Sequence, residues 1–424
     1  MINQPSFKYN SKKRFTPLKY IFKWGSLAVI IGALVGSATA FFLISLDWAT
    51  NTREKNPMFI AFLPIGGLAI GLLYYYVGRD VVKGNNLLLE EAQNPTEIIP
   101  LQMAPLVYVG TIITHLVGGS AGREGTAMQM GGAIADQFTK WYNLDSVERK
   151  IIITMGISAG FAAVFGTPFA GAIFALEILV LTTLQVKAIL PSILVAIIAN
   201  YLCDFWNVKH TQYTIASMPS VNISNIMWMV VIGIACGLAA LLFSKITHLG
   251  THIFASTIPY PPFRPMIAGL IIAIVIWQTD TKEFIGLGIP FIQQTFIVKV
   301  HSYDFFIKML FTAFTIGAGF KGGEVTPLFF IGAALGNAMV WFIPLPLSLL
   351  AAVGFVSIFA GATHTPIAST IMGMEIFGNE CAVFIAVACV VSYFCSGNMG
   401  IYTSQLKQGP KYMLYHKLKH IVLG

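Results

Sequence analysis

The residues best placed to do chemistry lie in GGSAGREGTAMQMGG, Gly118 to Gly132, where Arg123 and Glu124 stand among six glycines. A carboxylate at the centre of a bilayer helix costs about 2.5 to 3.5 kcal/mol, so such residues are retained for ion or proton work. The glycines suit that use. They let backbone approach a ligand, and a glycine-rich turn entering a helix offers free N–H groups and the positive end of a dipole to an anion. The alternative is a tight turn between packed helices, with Arg123 and Glu124 in interfacial water. A second acid, Glu324, lies in the similar stretch GGEVTP, Gly322 to Pro327.

The elements that must position these groups are membrane helices. Of 424 residues, 56% are hydrophobic and 10% charged, and the mean hydropathy is +0.74; this excludes an ordinary soluble domain. Ser26 to Leu46 and Met227 to Phe243 carry no charge, and the first reaches the roughly 20 residues that a bilayer requires. Many other apolar runs are shorter, interrupted at Pro105, Gly118, Gly156, Pro168, Gly317, Pro327, Pro344 and Pro366. That is the pattern of broken helices around a midplane site. The expected fold is an all-α polytopic membrane protein.

Charge gives the expected orientation. Residues 1–23 hold Lys8, Lys12, Lys13, Arg14, Lys19 and Lys23 without an acid, and after Glu380 there are only Lys407, Lys411, Lys417 and Lys419. By the positive-inside rule both termini are expected in the cytoplasm, and the excess of 26 basic over 18 acidic residues reads as topology, with no nucleic-acid partner. The first apolar run is too long for a cleaved signal peptide and is read as a membrane helix. Cys203, Cys236, Cys381, Cys389 and Cys395 lack metal-ligand spacing and are expected as inert thiols. There is no HExxH or GxSxG, so neither a catalytic residue, a metal nor a cofactor is expected.

The chain reads as a 1–20 tail, a first transmembrane repeat over 21–203, a connecting loop over 204–225, a second repeat over 226–403 and a terminal segment over 404–424. The halves match. GREGT (Gly122 to Thr126) parallels GGEVT (Gly322 to Thr326), and FGTPFAGAIFALEI (Phe165 to Ile178) parallels ATHTPIASTIMGMEI (Ala362 to Ile376), at offsets of 200 and 198 residues. Duplicated membrane halves are often inverted, with the substrate site formed by helix ends at their interface. The N-termini following GREG and GGEVTP should then converge on one point and favour an anion.

GREG, GGExxP, the Thr-Pro-Phe-Ala-Gly run ending in Glu177, and Tyr402 near the end of the chain occur in the order of the CLC chloride channels and proton-coupled anion transporters, and the sequence resembles that family over nearly its whole length. The resemblance implies an inverted-repeat fold of about 17–18 full and partial helices, and a homodimer with a pathway in each subunit. It also implies a signature loop of Gly122, Arg123, Gly125 and Thr126, and makes Glu124 a gate that competes with anions and carries protons. Three departures look like the fluoride/proton antiporter branch. GNNLL replaces GSGIP, placing Asn85 where chloride members have a coordinating serine; GREGT replaces GREGP; and Glu324 and Thr326 occupy usually apolar positions. GLGIP, Gly286 to Pro290, nearly spells the chloride motif but falls at the repeat position of GNN, and is read as a structural turn.

These matches imply fluoride export in exchange for protons, across the plasma (inner) membrane. The alternative is a chloride/proton antiporter or a passive CLC-type anion channel. Asn85, Thr326 and Tyr402 are the expected anion donors, and Asn86 serves equally well in place of Asn85. Ile178 stands where many chloride antiporters have an inner acid, so Glu324 is the candidate inner proton group; its other reading is a helix-end carboxylate satisfied by backbone N–H groups. Glu177 and Glu375 are expected as structural anchors, His115 and His364 as satisfied structural histidines, and Met128, Met130, Met372 and Met374 as packing.

Overall fold

The computed structural model describes residues 17–179, 186–408 and 411–413; the basic residues Lys8, Lys12, Lys13, Arg14, Lys417 and Lys419 and the end of the apolar run after Leu179 lie outside them. The described residues form 17 α-helices joined by short 3-10 turns, with no strand beyond one isolated bridge. The first series is α1 (Pro17–Lys55), α2 (Leu63–Tyr76), α3 (Asn85–Gln93), α4 (Met103–Val117), α5 (Glu124–Asp136), α6 (Phe138–Trp141), α7 (Ser146–Phe165), α8 (Pro168–Leu179) and α9 (Val186–Phe205). The second is α10 (Ile223–Thr257), α11 (Phe263–Thr279), α12 (Ile289–Thr295), α13 (Asp304–Gly317), α14 (Val325–Ala338), α15 (Leu347–Thr363), α16 (Pro366–Phe377) and α17 (Ala382–Cys395).

Lys19–Lys55, Pro57–Tyr76, Lys187–Phe205 and Ile223–Thr257 are long and apolar enough to cross a bilayer alone. Their outer faces leave large apolar side chains uncovered, among them Leu34, Phe41, Leu238 and Leu242, as a lipid-facing surface requires. The protein is membrane-embedded. Around α5 and α7 the packing is too close for any side chain but hydrogen. A Cβ on Gly131 or on Gly156 would collide with the other's carbonyl, and Gly332 and Gly354 repeat that contact between α14 and α15. Small residues at such crossings let helices gain dispersion contact where lipid offers no hydrophobic drive.

The relation between the halves is written in two glutamates. Glu177, near the end of α8, accepts hydrogen bonds from the first amides of α16, Ile367 N at 3.0 Å and Ala368 N at 2.7 Å. Glu375, near the end of α16, accepts from Phe169 N at 3.0 Å and Ala170 N at 2.7 Å at the start of α8. Each helix therefore runs against the other and caps it, the reciprocal exchange that a two-fold relation produces. The carboxylates satisfy amides that no preceding turn can serve and lie at the positive helix ends. Both are the structural anchors that their repeat positions suggest.

Two helices run further than hydropathy indicates: α1 continues through the polar DWATNTREK to Lys55, and α10 to Thr257. The charged break after Gly78 is not featureless either, since it contains α3.

Candidate anion and proton site

The site forms where α5 and α14 begin. Gly122 and Gly323, each just before its helix, exchange backbone hydrogen bonds across the repeat interface, Gly122 N to Gly323 O at 2.5 Å and Gly323 N to Gly122 O at 2.8 Å. The two helix N-termini are thereby pinned together. Glycine is required by the approach: a Cβ on Gly122 would stand 2.8 Å from Glu124 Oε2 and 2.9 Å from Gly323 O, and one on Gly125 would stand 2.7 Å from Asn85 Nδ2.

Glu124 is the first residue of α5 and is fully buried. Its Oε2 accepts from Arg123 N at 3.1 Å and from Thr326 N at 3.0 Å, and its Oε1 accepts from the Thr326 hydroxyl. Arg123 Nε lies 3.8 Å from Oε1. The carboxylate of the first repeat is thus seated on the N-terminus of the second repeat's helix, where amide, hydroxyl and dipole all favour negative charge. Thr326 thus gives both its amide and its hydroxyl to one carboxylate.

Glu324 is the residue immediately before α14, half-buried, and its Oε2 is enclosed without a hydrogen-bond partner among the described residues. The sequence allows a carboxylate satisfied by helix-end amides at this position. Here one α14 amide, Thr326 N, serves Glu124, while the Glu324 carboxyl is met by its own backbone N–H. Glu324 lies within electrostatic reach of Glu124 and Lys321.

Asn85 begins α3 and packs its amide against Gly125; its Oδ1 has no partner among the described residues. Asn86 is placed differently, its Oδ1 accepting from Ser404 N at 3.0 Å. The buried Tyr402 hydroxyl is also unpartnered among the described residues, and the residue feels the charges of both Glu124 and Glu324. Thr126 spends its hydroxyl on Thr111 of α4, 2.7 Å away.

The interior also holds cations that sequence reading missed. Lys308 on α13 is wholly buried and donates to Phe284 O at 2.9 Å and Gly286 O at 2.8 Å. Gly286 N in turn donates to Gly119 O at 3.1 Å. In GLGIP, Gly286 at φ +57° and Gly288 at φ +71° make the bend that leads into α12, which Ile289 and Pro290 begin. Arg53 Nη1 donates to His115 O at 3.0 Å. Arg149 on α7 binds Asp136 of α5 through Nε at 2.9 Å and Nη2 at 2.8 Å, and Glu91 of α3 through Nη1 at 3.0 Å. Arg149 gave no signal, since it stands among Asp145, Glu148 and Lys150 and reads as a solvated helix start. Its partners, at other points of the chain, carry no spacing that names them. His364 Nδ1 lies 3.0 Å from the Tyr412 hydroxyl, while Met128, Met130 and Met372 are core residues and Met374 is half-buried. Cys203, Cys236, Cys381 and Cys389 are buried free thiols, and Cys395 is half-buried.

Comparison with known proteins agrees with this architecture. The family described as "Voltage gated chloride channel" matches residues 66–397. A "Chloride/fluoride channel protein" of Pseudomonas syringae pv. tomato is 46% identical over 404 residues, covering 94% of this chain and 89% of that protein. The crystal structure of a CLC-type fluoride/proton antiporter, 34% identical, superposes with a TM-score of 0.88 over 92% of this chain and 99% of that one. A slow cyanobacterial Cl-/H+ antiporter, at 18% identity, shares the fold with a TM-score of 0.78 over 94% of this chain and 98% of that one. With the reciprocal helix caps, the paired glycine loops and the family match spanning most of its length, the chain belongs to the voltage-gated chloride channel (CLC) family of membrane proteins.

Proposed function

We propose that the protein exchanges fluoride for protons across the membrane, with Glu124 as the group both ions share. The observation that carries this is the seat of the Glu124 carboxylate on Thr326 N and Oγ1. A carboxylate there holds the donors a small anion needs; once protonated it loses its charge and its claim on them, and an anion takes its place. Anion and proton thereby alternate at one point, which is what coupling requires.

Fluoride fits the donor set because its dehydration is offset only by short, directed, charge-assisted hydrogen bonds. Thr326, Asn85 and Tyr402 supply such donors, while Glu324 places a further acid beside them and disfavours anions that accept hydrogen bonds weakly. The descriptions of the Pseudomonas relative and of the fluoride/proton antiporter structure support the same substrate. Glu324, enclosed and free of competing hydrogen bonds at Oε2, serves the inner proton route. In a cell whose cytoplasm is less acidic than its surroundings, inward proton flow expels fluoride. On this reading the chain lies in the plasma (inner) membrane with both termini cytoplasmic, as a homodimer with one pathway per subunit. Passive anion conduction is the second reading, favoured by the channel description of the Pseudomonas relative.

The test is Glu124→Gln in liposomes. The variant should elute like the parent on size exclusion, yet an imposed fluoride gradient should move no protons. Proton pumping at the parent rate would remove Glu124 from the shared role.

A further inference from the structure

Asn86, Glu90 and Gln93 recur at i, i+4 and i+7 along α3 and so share one face of it. All three reach a single residue of the C-terminal segment. Ser404 N donates to Asn86 Oδ1 at 3.0 Å, Ser404 Oγ donates to Glu90 Oε1 at 2.8 Å, and Gln93 Nε2 donates to Ser404 O at 2.9 Å. Every polar group of Ser404 is therefore taken up by one helix. Glu90 is itself steadied from the other side, its Oε2 receiving Lys83 Nζ at 2.7 Å.

The same segment is tied to the second series of helices. Ile401 N donates to Ala362 O at 2.9 Å, Gln405 Nε2 donates to Thr363 O at 2.9 Å, and His248 Nε2 lies 3.0 Å from Gly400 O. Tyr402 sits between these ties, two residues before Ser404. Asn85 sits at the other end of the arrangement, next to Asn86 and against Gly125. The Asn85 amide, whose donor Nδ2 lies against Gly125, and the Tyr402 hydroxyl, unpartnered among the described residues, thus belong to two elements that Ser404 ties together.

We propose that Ser404 and Glu90 are specificity-determining positioning residues: by strapping the Tyr402 segment to α3 they fix the spacing between Asn85 and Tyr402, and hence the size of the anion seat. This rests on the fluoride/proton reading above. It assigns the moving part of the cycle to the Glu124 side chain and leaves Asn85 and Tyr402 as a rigid frame. A frame that cannot widen holds the smallest halide in contact with both donors and admits larger ones poorly. Asn86 becomes part of the strap through its Oδ1, and of the two neighbouring amides Asn85 is the one packed against Gly125.

The experiment compares Ser404→Ala, Glu90→Ala and the double variant in liposomes, with Ser404→Thr as the conservative control. The readouts are the ratio of fluoride to chloride flux and hydrogen–deuterium exchange of the peptide spanning residues 397–408. Each alanine variant should lower the flux ratio about tenfold, the effect of losing one charge-assisted hydrogen bond, and should speed exchange at 400–405. The double variant should be no worse than either single one, because both break the same contact. Ser404→Thr should retain the parent ratio. Faster exchange with an unchanged ratio would overturn the specificity role, and unchanged exchange would overturn the strap itself. Failure of the underlying transport reading shows separately, as an absence of fluoride preference in the unsubstituted protein, where the exchange comparison is unaffected.

Discussion

Thr326 gives both its amide hydrogen and its hydroxyl to one carboxylate, and that double use makes a prediction at the scale of the residue. If Glu124 and the transported anion compete for the same donors, removing the hydroxyl weakens both competitors, and the two effects largely cancel. Thr326→Val should therefore change the fluoride half-saturation little in the parent. In a Glu124→Ala background, where no carboxylate competes, it should raise that value roughly 10- to 150-fold, since a charge-assisted hydrogen bond is worth about 1.5 to 3 kcal/mol. A Thr326→Val change without effect in the Glu124→Ala background would mean that the hydroxyl never meets the anion. Gly125 makes a second prediction. A methyl group there stands 2.7 Å from Asn85 Nδ2 and 3.2 Å from Gly323 Cα, and overpacking of this kind costs about 1 to 3 kcal/mol. Gly125→Ala should lower the unfolding temperature in detergent and suppress fluoride flux; a fully stable, fully active variant would contradict the close approach. The centre of the site was legible in the sequence because acids are rare in this apolar chain, 18 in 424 residues, and two of them recur beside clustered glycines at a fixed offset. The burial of Thr126 against Thr111 was not, because nothing in spacing along the chain distinguishes a hydroxyl turned toward an anion from one turned toward a neighbouring helix.

At the scale of the element, α8 and α16 exchange caps through Glu177 and Glu375, but the two caps differ in setting. Glu177 is 4% exposed whereas Glu375 is half-buried. Each alanine substitution strands two amides, and a stranded buried group costs about 1 to 3 kcal/mol whereas an exposed one is rescued by water. Glu177→Ala should therefore depress the unfolding temperature more than Glu375→Ala, with the glutamine variants intermediate. If Glu177→Gln instead abolished proton movement at unchanged stability, Glu177 would belong to the proton route and not to the scaffold. Arg149 ties α7 to α5 and α3 through Asp136 and Glu91, and removing one partner of a buried ion pair costs about 3 to 5 kcal/mol. Arg149→Ala should fail to yield folded protein, or unfold well below the parent in a thermal ramp; a parent-like unfolding temperature would show that the network carries little stability. The pairing of Glu177 with Glu375 could be anticipated from their equal places after Thr-Pro in each repeat. Helix α3 could not, since Asn85, Asn86, Glu90 and Gln93 give it the composition of a solvated loop. Its polarity serves contacts with the opposite end of the chain, which hydropathy cannot register.

For the whole molecule, the duplication visible at offsets of 200 and 198 residues is what brings two helix N-termini to one point, and that convergence is the basis of the functional account. The number of helices came with the family resemblance; the membrane setting followed from composition, and the broken helices from the glycine and proline interruptions. The lengths of α1 and α10 did not, because polar ends continue a helix once its apolar part is anchored. The central claim is that this fold couples fluoride to protons through the Glu124 seat. It is tested most directly by reconstituting the protein in liposomes and recording halide efflux and proton uptake simultaneously under matched fluoride and chloride gradients. The account predicts that fluoride efflux drives proton uptake and that chloride moves far more slowly. Equal coupled rates for the two halides, or fluoride efflux with no proton movement, would contradict it.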